Sequence, residues 1–228
     1  MAAQPPSAAA PGPVHRLRWA LWPAVLLVAV LAAALAFLLV GRGSGSSSST
    51  GSAPAADAPS ATWAAGAVRA PGFRLADESG KPFSLAALRG RPVLITFIDP
   101  LCRDFCPIEA QHLNDVVRGL PAGSKPAIVA VSVNVHGNAP ANLMQDNRKW
   151  KVVPQWRWGI GGEAQLAPVW KSYHIGVLAT TKKVAGVTVY NVAHTEAAYL
   201  VDASGYERAL FLWPYRAEAV TRALHDLG

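Results

Sequence analysis

Between Trp19 and Val40 the chain runs for 22 residues without a charged side chain. Rising about 1.5 Å per residue, a helix of that length is roughly 33 Å long and crosses a hydrocarbon core of about 30 Å. This segment rules out an ordinary cytosolic protein. No other stretch is as long and apolar, which rules out a polytopic one as well. Arg16 and Arg18 precede the span, with His15 beside them, and only Arg42 follows closely. That asymmetry predicts a cytoplasmic N-terminus and an extracytoplasmic C-terminal part. Trp19 and Trp22 fall where an interfacial aromatic belt belongs, and Pro23 is early enough in the helix to be tolerated. A cleaved leader would carry a shorter apolar region ending at a small-x-small site, whereas this one exits into Gly41-Arg42-Gly43. The span is therefore read as a retained single-pass anchor in the cell membrane.

The flanks of the anchor are low in complexity. Residues 1–18 form an Ala/Pro-rich tail read as disordered, and residues 41–62 are almost all Gly, Ser, Ala, Thr and Pro. The latter cannot bury enough surface to fold and reads as a flexible tether with a reach of roughly 25 Å. Residues 63–228 remain, 166 in number, which suits one globular domain with a real core.

Within that domain Pro71–Phe83 reads as a short hairpin, and Ser84 caps a brief helix, Leu85–Leu88, closed by Gly90. Pro92–Ile98 and Ala127–Val135 read as buried strands. Between them, Leu113, Val116, Val117 and Leu120 give Pro107–Leu120 a helical spacing. This is a βαβ unit. Pro140–Trp150 and Glu163–Tyr173 read as helices around a strand at Gln155–Ile160. Val184–Val192 is rich in β-branched residues, Ala198–Val201 and Tyr206–Leu212 form a closing hairpin, and Ala217–Leu227 is a final helix. The pattern predicts an α/β sandwich with a mixed central sheet, and tryptophans 156, 158, 170 and 213 read as packing residues.

The chain has two cysteines, Cys102 and Cys106, just after the first buried strand. Pro107 suits the first helical position, which puts Cys106 at the N-cap and Glu109 at the third helical position. Both thiols then lie at the positive end of a helix, where a thiolate is favoured. Three uses compete. A structural disulfide is natural in an exported protein, but so short a loop constrains the unfolded chain little. A redox pair is the second, although the usual spacing is Cys-x-x-Cys and here it is Cys-x-x-x-Cys. The third is a metal site: two sulfurs are too few for structural zinc, whereas two thiolates plus one imidazole suit copper.

Six histidines could complete such a site. His15 lies across the membrane, His225 is on the last helix, His112 turns off the thiol face, and His174 ends a predicted helix. His136 follows the second buried strand at the sheet's C-terminal edge, where α/β folds gather ligands. His194 lies in Asn191–Glu196, read as a loop leading into the strand at Ala198, and by spacing alone it is either a loop histidine or a ligand.

A buried strand ending in Cys102-x-x-x-Cys106-Pro107, then His194-Thr195 before Tyr199-Leu200-Val201-Asp202-x-x-Gly205, resembles the Sco/SenC family. The 88-residue gap from Cys106 to His194 and the opening Pro71-Gly72-Phe73 to Gly90 are similar too. The likeness covers most of Arg69–Gly228. It implies a membrane-tethered, thioredoxin-like fold that binds copper and assists assembly of the dinuclear copper site of cytochrome c oxidase. By motif match, Cys102 and Cys106 are the thiolate ligands and His194 the imidazole ligand. Three positions depart from the family's habit. Arg103 replaces a proline, Ala193 an acidic residue, and Asn134–Asn138 lacks an Asp-Pro pair.

The reading implied is a copper metallochaperone, with an oxidase subunit or another copper or thiol protein at the same membrane as its partner. A thiol-disulfide oxidoreductase using Cys102 and Cys106, and an interaction module with an inert disulfide, are the alternatives. A peroxidase is disfavoured, because a peroxiredoxin-like threonine three residues before the reactive cysteine is replaced by Asp99 or Arg103. The net charge of +7 is scattered, with no basic run longer than Lys182-Lys183, so no nucleic-acid partner is inferred.

Overall fold

The structure, a computed structural model, describes residues 56–227. The expected membrane span, the tail before it and the larger part of the linker lie outside the described residues. Among the described residues no helix is long and apolar enough to cross a membrane.

A short strand β1 (Ala61–Thr62) opens the domain, followed by the hairpin β2 (Arg74–Ala76) and β3 (Pro82–Ser84). Next come β4 (Val93–Ile98), α1 (Phe105–Gly119), β5 (Ala127–Ser132), α2 (Pro140–Lys149) and β6 (Trp156–Gly159). The rest is α3 (Glu163–Ser172), β7 (Val177–Val184), β8 (Val187–His194), β9 (Ala197–Val201), β10 (Glu207–Leu212) and α4 (Ala217–His225). The central sheet has the order β1-β10-β9-β4-β5-β6. β4, β5 and β6 run parallel, and β9 pairs antiparallel with β4. The mixed sheet and the β4-α1-β5 unit agree with the pattern of the sequence.

The sheet is buried on both faces because β4 and β5 are apolar at nearly every position, with side chains alternating between faces. Leu94, Ile98, Ile128 and Ala130 point to one core with Leu113 and Val117 of α1 and Val220 of α4. Ile95, Phe97, Val129 and Val131 point to the other, with Leu166 of α3, Tyr173, Phe73 and Leu75. Trp156, Trp158 and Trp170 are buried, as packing residues should be. Two hydrogen bonds satisfy the indole N–H groups of Trp158, to Asn147 Oδ1 at 2.8 Å, and of Trp170, to the Ser132 carbonyl at 2.9 Å.

Three expectations are corrected. The β-branched stretch is half of a separate two-stranded arm, β7 pairing with β8 over its whole length. β7 was hidden because its alternation is polar on both faces, and the arm closes on Ala185-Gly186, both at positive φ (49° and 82°), as a two-residue hairpin turn requires. His194 is consequently the last residue of a strand and not part of a loop. Finally, the end of the expected tether is ordered. Ala61 and Thr62 pair with Leu210 and Ala209, and the Ser60 N–H donates to the Leu210 carbonyl at 2.7 Å. An unpaired edge of β10 captures polar backbone regardless of its weak side chains.

Candidate metal centre

The parallel strand β4 delivers the cysteine turn to the C-terminal edge of the sheet. Asp99 starts it: its Oδ1 accepts the Leu101 N–H at 2.7 Å and its carbonyl accepts the Cys102 N–H at 3.0 Å. Arg103 then staples the turn to itself, Nη1 donating to the carbonyls of Pro100 and Cys102, both at 2.9 Å. The same nitrogen lies 3.5 Å from Asp146 Oδ1 on α2, whose side chain is 1% exposed and makes no hydrogen bond. From the other side Gly137 packs against the turn; a Cβ there would stand 2.8 Å from Pro100 Cβ, so this position has no room for a side chain.

Helix α1 begins two residues earlier than Pro107 suggested. Phe105 is its first residue and Asp104 occupies the cap position without a side-chain capping bond. Cys106 therefore sits inside the first turn and is buried, while Cys102 stays outside and half-exposed. The free N–H groups of the helix start, unclaimed by a cap, turn to the Cys102 sulfur. The two thiols are unequal as a result. A hydrogen bond from the Cys106 thiol, with the backbone N–H groups of Cys106, Asp104 and Phe105, lowers the Cys102 pKa to about 5. Cys106, holding the shared proton beside that thiolate and buried, is pushed far up.

His194 reaches the same edge from the end of β8. Its Nδ1 lies 3.1 Å from the Thr195 carbonyl; with the proton there, Nε2 keeps its lone pair for a ligand. Burial pushes the ring below the usual histidine range, which favours the neutral form that binds metals. The following turn is pinned twice: Thr195 Oγ1 accepts the Gly176 N–H at 3.1 Å, and the Glu196 carbonyl accepts the Trp213 N–H at 3.0 Å.

One donor atom each of Cys106, His194 and Glu196 lies within 4.8 Å of the other two. The structure thus brings together two of the three residues expected as ligands. Cys102 touches Cys106 but is not in that set. Sulfur, imidazole nitrogen and carboxylate oxygen at this spacing form a donor set suited to a soft or borderline transition metal. Glu196 was overlooked; its position between His194 and the apolar start of β9 was the only signal. His136 is elsewhere: its ring stacks on Tyr190 at 3.6 Å and 16°. His112 packs on Trp213 with centroids 5.3 Å apart.

Beneath Cys106 lies a polar feature that sequence reasoning also missed. Glu109, 1% exposed, accepts hydrogen bonds from Thr96 Oγ1 at 2.7 Å and Tyr215 Oη at 3.0 Å, both on Oε1. Burial raises its pKa to about 8, and Oε2 is left without a partner. This environment favours the neutral acid at pH 7.

The SCO1/SenC family model matches residues 64–227. This chain belongs to the SCO1/SenC family. No curated protein matches it. Among solved structures, copper-bound ScoI of Bradyrhizobium japonicum is 26% identical with a TM-score of 0.60, covering 71% of this chain and 100% of that one. Copper-bound yeast Sco1 is 21% identical with a TM-score of 0.61, covering 70% of this chain and 87% of that one. BsSco is described as a member of the Sco family of cytochrome c oxidase assembly proteins with a disulfide switch. It is 22% identical with a TM-score of 0.54, covering 70% of this chain and 93% of that one. The last two likenesses concern the fold, and the mixed sheet flanked by helices is the thioredoxin-like Sco fold. Relatives of this chain have been solved with copper bound, and the chain has a Cys/His site of matching chemistry.

Proposed function

We propose that this chain is a copper metallochaperone of the Sco type. Anchored in the cell membrane by Trp19–Val40 with its domain outside the cytoplasm, it carries one copper ion on Cys102, Cys106 and His194. Its recipient is the dinuclear copper site of cytochrome c oxidase. The single observation that carries this reading is the meeting of Cys106 and His194, 88 residues apart in sequence, within 4.8 Å. Family membership and the copper-bound relative support it. The copper is cargo: an open, three-donor site lets a thiolate of the recipient add to the ion as one of the chain's own donors leaves. Titration of the reduced full-length chain in detergent with Cu(I) tests the reading. One ion per chain is expected, with affinity greatly reduced in Cys102→Ala, Cys106→Ala and His194→Ala. Equal binding by all four proteins rejects it.

The inequality of the two thiols favours a second reading, a thiol-disulfide oxidoreductase. The Cys102 thiolate would attack a partner disulfide and release one partner thiolate. Cys106, giving up its proton, would then attack the mixed disulfide, leaving the partner reduced and Cys102-Cys106 oxidised. This chemistry does not use His194. Partner-disulfide reduction that survives in His194→Ala and disappears in Cys102→Ala supports it; loss of activity in His194→Ala rejects it.

A further inference from the structure

The carboxylate of Glu196 stands at the metal centre with nothing in the sequence motif to explain it. The residue directly before the histidine is Ala193. Successive residues of a strand face opposite sides, so a side chain at 193 points away from the ring at 194. Ala193 is indeed exposed. Two residues beyond the histidine, Glu196 returns to its side. The backbone there is held by Trp213 on one flank and by the Thr195–Gly176 pair on the other, so the side chain extends over the pocket from a fixed base. It is half-buried, and none of the ion pairs among the described residues uses it. A desolvated carboxylate without a cation, within 4.8 Å of a sulfur and an imidazole nitrogen, has the geometry of a ligand.

We propose that Glu196 is an oxygen ligand of this centre that engages copper as Cu(II) and lets go of it as Cu(I). The inference rests on the reading that Cys106 and His194 hold the ion. Cu(I) is satisfied by soft sulfur and imidazole donors in low coordination number, and a carboxylate adds little. Cu(II) takes four donors in a tetragonal arrangement and accepts a hard, anionic oxygen. Glu196 supplies that oxygen from a position outside the family's histidine motif. The site then accepts the ion in either oxidation state with a different donor set for each. The carboxylate donates a lone pair only; no electron or proton is transferred in the binding step.

The test uses the full-length chain in detergent with its cysteines reduced, titrated anaerobically with Cu(I) and, separately, with Cu(II). Wild type is compared with Glu196→Gln, Glu196→Ala, Cys106→Ser and His194→Ala, and the Cu(II) complexes are examined by electron paramagnetic resonance. Both Glu196 variants are expected to lose about tenfold or more in Cu(II) affinity, a loss that even groups outside the coordination sphere can produce. Their copper hyperfine splitting changes, and their Cu(I) affinity stays that of wild type, which also shows that they are folded. Wild-type Cu(II) affinity and spectrum in both Glu196 variants overturn the inference while leaving the metal-centre reading intact, provided Cys106→Ser and His194→Ala still weaken binding. Equal weakening of Cu(I) and Cu(II) overturns it too, since a collapsed pocket does not discriminate. Unchanged binding in Cys106→Ser and His194→Ala rejects the metal centre itself.

Discussion

Cys102 and Cys106 differ by four positions and by most of their chemistry. The helix start aims its free N–H groups at the outer sulfur, and the inner sulfur supplies a further hydrogen bond. Alkylation of the metal-free, reduced chain with iodoacetamide between pH 4 and 8 should follow one thiolate titrating near about 5. Mass spectrometry is expected to find the label on Cys102 and almost none on Cys106. Labelling of both at equal rates contradicts the arrangement. Arg103 is a residue of equal interest, because it stiffens the turn without a covalent constraint. Here a guanidinium does so by bonding two carbonyls of the turn and facing the buried Asp146. Arg103→Ala should cost about 1–3 kcal/mol in urea unfolding, since it leaves a buried carboxylate unpaired. Arg103→Ala/Asp146→Asn should recover part of that loss, and strict additivity of the two substitutions would refute the pairing.

At the scale of elements, two groups at the N-terminal end of α1 carry opposite pH dependences. Glu109 has its pKa raised by burial from 4.5 to about 8, so the folded state binds more protons than the unfolded state across that range. Its contribution to stability is present at low pH and is lost as pH rises. Cys102 has its pKa lowered from 9.0 to about 5, so the unfolded state binds more protons there, and its contribution grows with rising pH. In the metal-free protein the two slopes oppose each other between pH 5 and about 8. Glu109→Gln should unmask a stability that rises through this window, and Cys102→Ala one that falls through it. Parallel pH profiles for both variants, from denaturant unfolding, would show that neither group is placed as described. The arm β7–β8 is the second element that matters, because it carries His194 on its last residue. It is anchored at its base by Thr195 and Gly176, while Val184 and Val187 at its far end are exposed.

Across the whole molecule, the centre joins α1 near the start of the domain to the β8–β9 turn near its end. An ion bound there ties together segments that the unfolded chain leaves far apart, so binding stabilises the folded state. Free Cu(I) at a hundred times its dissociation constant should add about 2.7 kcal/mol. Thermal unfolding of the reduced chain is expected to shift upward with Cu(I) in wild type and not in His194→Ala; a shift of equal size in both would place the ion elsewhere. The two cores on either side of the sheet have the complementary role. They fix β4 and β9, whose ends present the cysteine turn and the Glu196 turn to one another.

The sequence was most legible where side-chain patterning alone decides local structure. Continuous apolar runs marked β4 and β5, helical spacing marked α1, and Ser84 capped its short helix as expected, its Oγ accepting the Ala87 N–H at 3.3 Å. The motif from Cys102-x-x-x-Cys106-Pro107 to His194-Thr195 and Tyr199–Gly205 carries a resemblance that the family model bears out. Where β7 lies, where α1 begins and where β1 pairs were not legible, because each is settled by a partner distant in sequence. Nor could the chain's order of residues reveal that Glu196 joins Cys106 and His194, that Asp146 answers Arg103, or that Glu109 is buried where the neutral acid is favoured. Composition and period are properties of neighbours along the chain. The distance between a sulfur, an imidazole and a carboxylate, and the dielectric around each, exist only once the sheet has brought its strand ends together.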